Sequence, residues 1–273
     1  MWWFAELASA WAGACCVGST SAVPARLGEC EHVLAGVGLA GELAVARWDP
    51  EGTVAGASPD ETNGAVTALV GARWSRWGQA TVQLPTRFQH RVAGDLVDDG
   101  AGVGDLIAGV TVDPLEERLG PHGGGLPVPV VTLSLRAPTG RDWTDSDGPL
   151  LADTTGVEGF GGRAAVQVER TMGTPWWLGT DLALDPHLPA RIGVAGGVGR
   201  YLGTDWTLSG TLRHERQLTA DGTARTLVGA RVIRGQRLAW RAWVGAGTDV
   251  GLSGLGADLP VLASADLGLA WIH

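Results

Sequence analysis

The chain has 273 residues, 43 of them Gly; 45% are hydrophobic, only 18% are charged, and the formal net charge is −9. All 20 basic residues are Arg and no basic stripe is available for phosphates, which excludes a nucleic-acid partner. The even spread of apolar residues excludes disorder. Glycine at about twice its usual share argues against a long helical enzyme, since each Gly costs a helix about 1 kcal/mol relative to Ala.

A spanning helix needs about 20 nearly continuous apolar residues. The one charge-free run near that length, between Glu6 and Arg26, is interrupted by Gly13, Cys15-Cys16, Gly18 to Ser21 and Pro24. Residues 1–14 read as the remnant of a secretory signal, rich in small residues but with Glu6 in place of a positive n-region. Their start then lies inside a longer signal. Residues 15–32 form a periplasmic N-terminal segment whose position permits it to plug a pore. It holds Cys15, Cys16 and Cys30. Cys30 can pair with Cys15 or Cys16 in an oxidising compartment; Cys15 as a lipoprotein cysteine is disfavoured by Ala12. His32 alone near three Cys does not make a metal site, and no cofactor is expected.

From residue 33 onward the pattern is period two. Val33, Ala35, Val37, Leu39, Leu43 and Val45 share one face against Gly36, Gly38, Ala40, Glu42 and Ala44. Further strands are predicted at 65–74, 79–87, 102–112, 128–137, 162–169, 176–185, 191–202, 206–216, 223–233, 237–247 and 260–273. Twelve strands of about ten residues suit a membrane, which a strand crosses in about 9–11 residues, better than a sandwich with shorter strands. The connections at 49–61, 86–100, 138–158 and 248–258 are long, whereas those after strands two, six, eight and ten are tight. Long outer loops and short periplasmic turns are the outer-membrane asymmetry; the link at 113–126 departs from it. Trp74, Trp77, Trp176, Trp177, Tyr201, Trp206, Trp240 and Trp271 fall at one end, as a periplasmic aromatic girdle does. The prediction is an all-β, transmembrane antiparallel up-and-down β-barrel over 33–273, in the bacterial outer membrane, with outer-membrane lipid and the barrel-assembly machinery as partners. The last strand ends in His273 where such strands usually end in Phe, so its assembly signal is imperfect.

Two motifs carry a resemblance: Gly102-Val103-Gly104-Asp105-Leu106 opens one strand, and Leu135-Arg136-Ala137-Pro138-Thr139-Gly140-Arg141-Asp142 closes the next. The pair resembles the outer-membrane transporter family named for the MetA pathway of phenol degradation, over most of 33–273. In that family Asp often follows Pro-Thr-Gly directly; here Arg141 intervenes. The resemblance implies a barrel passing small, often aromatic or hydrophobic molecules, and supplies no catalytic residue.

If the apolar face meets lipid, the other face lines the lumen. It carries Arg73, Arg136, Arg163, Arg213, Arg225, Arg231, Arg237 and Arg241, against Glu42, Asp105, Glu169, Asp181, Glu215 and Asp266. Such groups pair across strands and fill space; read functionally, they are a selectivity lining that favours anions, densest on strands nine to eleven. Acidic residues crowd the outer loops: Asp49, Glu51, Asp60 and Glu61; Asp95, Asp98 and Asp99; Asp142, Asp145, Asp147, Asp153 and Glu158. They read as a solvated rim, since the spacing from Asp142 to Asp147 is not an EF-hand. An outer-membrane lipid hydrolase is a competing class, but no Gly-x-Ser-x-Gly is present, and Ser209 lies on the face opposite His214. His90, His122 and His187 fall in loops without metal-ligand spacing. The expected function is passive passage of a small solute; the alternative is a structural or adhesive barrel with a closed lumen.

Overall fold

The computed structural model describes residues 27, 31–48, 54–56, 61–75, 77–113, 127–142, 144–170, 174–187, 189–203, 206–219, 224–234, 239–249 and 259–273. The strands in chain order are β1 (Val33–Trp48), β2 (Val54–Gly56), β3 (Glu61–Ser75), β4 (Gly78–Ala93), β5 (Leu96–Val103), β6 (Leu106–Val112) and β7 (Val128–Ala137). They continue as β8 (Gly161–Arg170), β9 (Trp176–Leu184), β10 (Arg191–Leu202), β11 (Trp206–Gln217), β12 (Ala224–Arg234), β13 (Trp240–Asp249) and β14 (Leu259–Ile272). Every pairing is antiparallel, and each strand pairs with its neighbours in sequence order until β14 returns to β1, from Leu34 opposite Ile272 to Trp48 opposite Leu259. β5 and β6 both pair with β4 and form one stave interrupted at Gly104-Asp105, while β2 is a short return on the end of β1. The result is a closed antiparallel barrel of twelve staves, as the alternation predicts. Apart from β2 and β5, each of which pairs on one side, closure gives every strand two partners, so the backbone is satisfied within the wall, the condition for crossing a lipid core with strands. No helix among the described residues is long and apolar enough to cross a membrane.

The outward face is apolar and bare: Val37, Leu39, Val70, Leu133, Leu178, Val198, Val244, Leu267 and Leu269 are all exposed. A band of that extent is unstable in water and matches lipid. At the end with tight turns, Trp74, Trp77, Trp206, Trp240 and Trp271 are exposed. Arg234 lies over Trp206 and Trp240, 5.2 and 5.5 Å from the ring centroids. This is an interfacial girdle at the periplasmic rim, and the barrel belongs to the bacterial outer membrane. Tyr201 is half-buried. Trp177 departs from the girdle reading: it is buried inside, against Ala195, because adjacent residues of a strand face opposite sides and Trp176 takes the outer one. His273 stacks on Trp271, and its backbone pairs with that of Val33.

The largest departure concerns the connection at 86–100. It is not a loop: β4 runs on to Ala93, Gly94 turns the chain with a φ of 62°, and β5 returns. His90 is therefore a strand residue, with its Nδ1 2.6 Å from the Asp99 carboxylate. Glu61 likewise starts β3 rather than sitting in a rim loop, and accepts a hydrogen bond from Arg91 at 3.1 Å.

Candidate functional site

Charges enclosed by a barrel wall must find partners there, because an unpaired buried ion is expensive. Register makes the pairs. Arg136 on β7, Gly161 on β8 and Asp185 just after β9 lie side by side, and Arg136 donates to Asp185 across the glycine. Arg231 on β12, Gly245 on β13 and Asp266 on β14 repeat the device, with a 3.0 Å hydrogen bond. In both places a Cβ on the middle glycine would overlap the ion pair. Between them, Asp181 accepts from Arg163 at 2.8 Å and from Arg213 at 2.9 Å, the latter reaching over Gly193, and Arg213 also donates to Glu215 at 3.1 Å. Arg136, Arg163, Ala183, Asp185, Arg191, Arg213, Glu215, Ile107, Ser134 and Gly162 surround a cavity of about 60 Å³.

At the outer mouth, residues 138–142 and 144–160 fold onto the inner wall. The two motifs noted in the sequence meet here. The Thr139 hydroxyl accepts from Leu106 N–H (2.9 Å) and donates to the Gly104 carbonyl (2.8 Å). Asp105, 3% exposed, accepts from Arg136 (2.5 Å), Gly140 N–H (3.0 Å) and Val157 N–H (2.9 Å). Thr155 donates to the Val103 carbonyl (2.7 Å), and the Asp98 carboxylate accepts from the N–H groups of Leu150 (2.9 Å) and Ala152 (3.1 Å). Arg91 donates to the carbonyls of Leu150 and Leu151, at 2.7 and 3.1 Å, holding Leu151 at a φ of 60°, a left-handed conformation that bulky residues rarely adopt. Gly100, Gly102 and Gly104 present the surface on which Ala152 and Thr155 lie; both residues are buried.

The solvated rim is thus only partly solvated. Asp98 and Asp153 bind backbone N–H groups, and Arg141 bridges Asp147 and Asp153, each at 2.6 Å. The Thr144 hydroxyl, helped by the N–H groups of Thr144 and Asp145, holds the Asp142 carboxyl below the usual carboxylate range. For Asp153 burial acts upward, but the Ser146 hydroxyl, Asp147 N–H and Arg141 outweigh it and the net shift is downward. A carboxyl lowered in the folded loop contributes stability above its unfolded value of about 3.9 and loses it as pH falls through the folded value. The hydrogen-exchange protection that these two carboxylates supply to the backbone N–H groups at 144–153 is therefore expected to be lost only below about pH 4. Complete loss of that protection already at about pH 5 contradicts the assignment.

The periplasmic mouth is capped by Leu27, fully buried with Leu34, Leu69, Ile233, Trp243, Ala270 and Ile272. Leu27 N–H donates to Gln79 at 2.9 Å, Arg73 donates to the Leu27 carbonyl at 2.5 Å, and Arg241 donates to Glu31 at 2.8 Å.

Of the residues expected in the lumen, Glu42, Arg73, Asp105, Arg136, Arg163, Glu169, Asp181, Arg213, Glu215, Arg225, Arg231, Arg241 and Asp266 all sit on the inner side, buried or half-buried. Arg237 lies outside the described residues, as do Cys15, Cys16, Cys30, His122, Asp49, Glu51, Asp60 and the whole of 1–14. Arg87, Arg91, Arg191 and Asp185 also serve the inner wall; strict alternation from Gln83 would have placed Arg87 there. His214 faces outward with its Nδ1 2.9 Å from the Thr226 hydroxyl, and Ser209 is buried on the inner side. No group of three or more metal-binding side chains forms among the described residues.

No protein-family model matches the chain, and no curated protein does. Among solved structures, the fold is similar to an outer membrane channel from Pseudomonas putida F1 (TM-score 0.66, 14% identity, 91% of this chain and 97% of that one). It is also similar to the translocator domain of the autotransporter NalP from Neisseria meningitidis (0.53, 13%, 90% and 89%) and to the β domain of the Bordetella autotransporter BrkA (0.51, 11%, 89% and 100%). At these identities the likeness is one of fold: this chain has the architecture of bacterial outer-membrane β-barrels.

Proposed function

We propose that the protein is an outer-membrane channel for small solutes, narrowed from both ends. The observation that carries this reading is how the lumen is filled. Among the described residues an apolar cluster forms the cap at the periplasmic mouth, charged groups surround a cavity below the outer mouth, and residues 138–142 and 144–160 are held there largely by side-chain hydrogen bonds. Such obstructions can move without breaking a strand ladder. The inner groups Glu42, Arg73, Asp105, Arg136, Arg163, Glu169, Asp181, Arg213, Glu215, Arg225, Arg231 and Arg241, with Arg237 assigned by sequence alternation alone, are its selectivity lining. Residues 15–32 are the periplasmic segment that supplies the cap and 1–14 the remnant of its secretory signal. Outer-membrane lipid surrounds the barrel, and the barrel-assembly machinery inserts it. The fold shared with an outer membrane channel is compatible with this reading.

The solute class implied by the sequence motifs is small and hydrophobic or aromatic. The experiment is conductance in planar bilayers together with liposome swelling on a solute panel. The native chain should show small, infrequent steps. Leu27→Ser, which places a hydroxyl in the apolar cap, should raise the open time several-fold, because burying an unpaired hydroxyl costs about 1–3 kcal/mol in addition to lost packing. Absence of steps in both proteins, with folding verified by heat-shifted gel migration, sinks the channel and leaves the closed barrel. Equal passage of sugars and aromatic solutes removes the solute preference.

A further inference from the structure

The cavity below the outer mouth of the barrel is walled by four guanidinium groups, Arg136, Arg163, Arg191 and Arg213, from four different strands, and by two carboxylates, Asp185 and Glu215. Asp105 and Asp181, which also pair with these arginines, do not line it. The cavity surface therefore carries more positive than negative charge, inside a wall whose low dielectric strengthens any anion's interaction with it. One donor at its wall is unused: Nη1 of Arg163 is buried just behind the cavity surface and has no hydrogen-bond partner, so a small turn of the guanidinium brings it to a ligand. Ser134, directly opposite Arg163 in the register of β7 and β8, lines the same cavity. Its remaining lining, Ile107, Gly162 and Ala183, is apolar or small.

We infer that this cavity is a binding site for the carboxylate of a small monoanionic solute, with Arg163 as its principal donor and Ser134 beside it. The size sets the class: about 60 Å³ holds about four water-sized groups, enough for a carboxylate and a short stem. A compact apolar body is left to lie against Ile107 and Ala183. The inference deepens the channel reading and takes its purpose from it, but binding is measured independently of conduction.

The test is equilibrium dialysis of radiolabelled benzoate, with benzamide as its neutral counterpart of the same shape, on the folded full-length chain in detergent. Benzoate should bind at least about tenfold more tightly than benzamide, the scale of a charge-assisted hydrogen bond. Arg163→Gln should weaken benzoate about tenfold, whereas Asp185→Asn, which removes a negative wall charge and leaves Arg136 its bond to Asp105, should strengthen it. A merely structural role moves both variants in the same direction. Equal binding of benzoate and benzamide, or a shared sign for the two variants, overturns the site. Should Arg163→Gln lose its heat-shifted migration, Ser134→Ala takes its place, with weaker benzoate binding expected and unchanged binding overturning the site. Conduction without benzoate binding refutes this site alone; benzoate binding without conduction refutes the channel alone.

Discussion

Asp105→Ala is expected to release the outer mouth while leaving the barrel closed. Asp105 sits where β5 gives way to β6, and its carboxylate gathers Arg136, Gly140 N–H and Val157 N–H, both ends of the infolded segment and the wall beneath it. Truncation leaves two backbone donors without their acceptor and Arg136 with Asp185 as its remaining carboxylate. Removing one partner of a buried charged pair costs about 3–5 kcal/mol, more than single bonds of this kind are worth. The loss falls on the docking of 138–160, because no strand pair is touched. Open time in planar bilayers should rise more than about tenfold, and trypsin should cut after Arg141, already exposed, far faster than in the native chain. Asp105→Asn, which keeps one acceptor oxygen, should fall between. A folded Asp105→Ala protein with native conductance and native trypsin resistance means that Asp105 does not hold the segment.

The wall was legible because lipid and lumen impose opposite chemistries on alternate residues. Leu178, Leu182 and Leu184 against Asp181 place β9 without further help. Legibility ended where the lipid ends. Beyond Arg87 outward residues such as His90 and Asp99 no longer need to be apolar, so with the inward Gln89, Arg91 and Asp98 they read as a loop although they continue a ladder. The turn was visible in Gly94-Asp95, flanked by Val92-Ala93 and Leu96-Val97, but nothing in hydropathy announced the strands around it. Trp177 is a different case: the alternation that put Leu178 outward already put its neighbour inward, and treating both tryptophans as girdle set aside the period.

The lumen was legible as a list and not as an arrangement. Which Arg meets which Asp depends on register between three strands, and the separating glycine, Gly161 or Gly245, gains its role only when its two neighbours are known. The contacts that obstruct the two mouths span still larger separations. Leu27 meets Gln79, and Gln89 donates to the Thr154 carbonyl at 2.5 Å. No local pattern encodes them. The two Gly-containing motifs stood out from the alternation because strand propensity does not explain their residues; their job is to let one segment lie on another.

Gly100→Val separates strand stability from loop docking. Valine is a better strand former than glycine, and in β5 the substitution should leave the barrel's unfolding temperature unchanged or slightly raised, by an amount corresponding to about 0.5–1 kcal/mol. A Cβ at this position, however, would occupy the place of the Ala152 carbonyl and Asp153 N–H, backbone atoms that cannot swing aside. The segment at 150–155 must therefore leave the wall, taking Ala152 off β5 and breaking the bonds that Asp98 makes to Leu150 and Ala152. Open time should rise on the scale of Asp105→Ala, with no loss of thermal stability. Gly210→Val, at an outward-facing position of β11 where a Cβ meets nothing, serves as the neutral comparison. Because both substitutions act on one docked segment, they should not add. The double variant should open the mouth no further than either single one, and additive effects would mean that Asp105 and Gly100 govern separate obstructions.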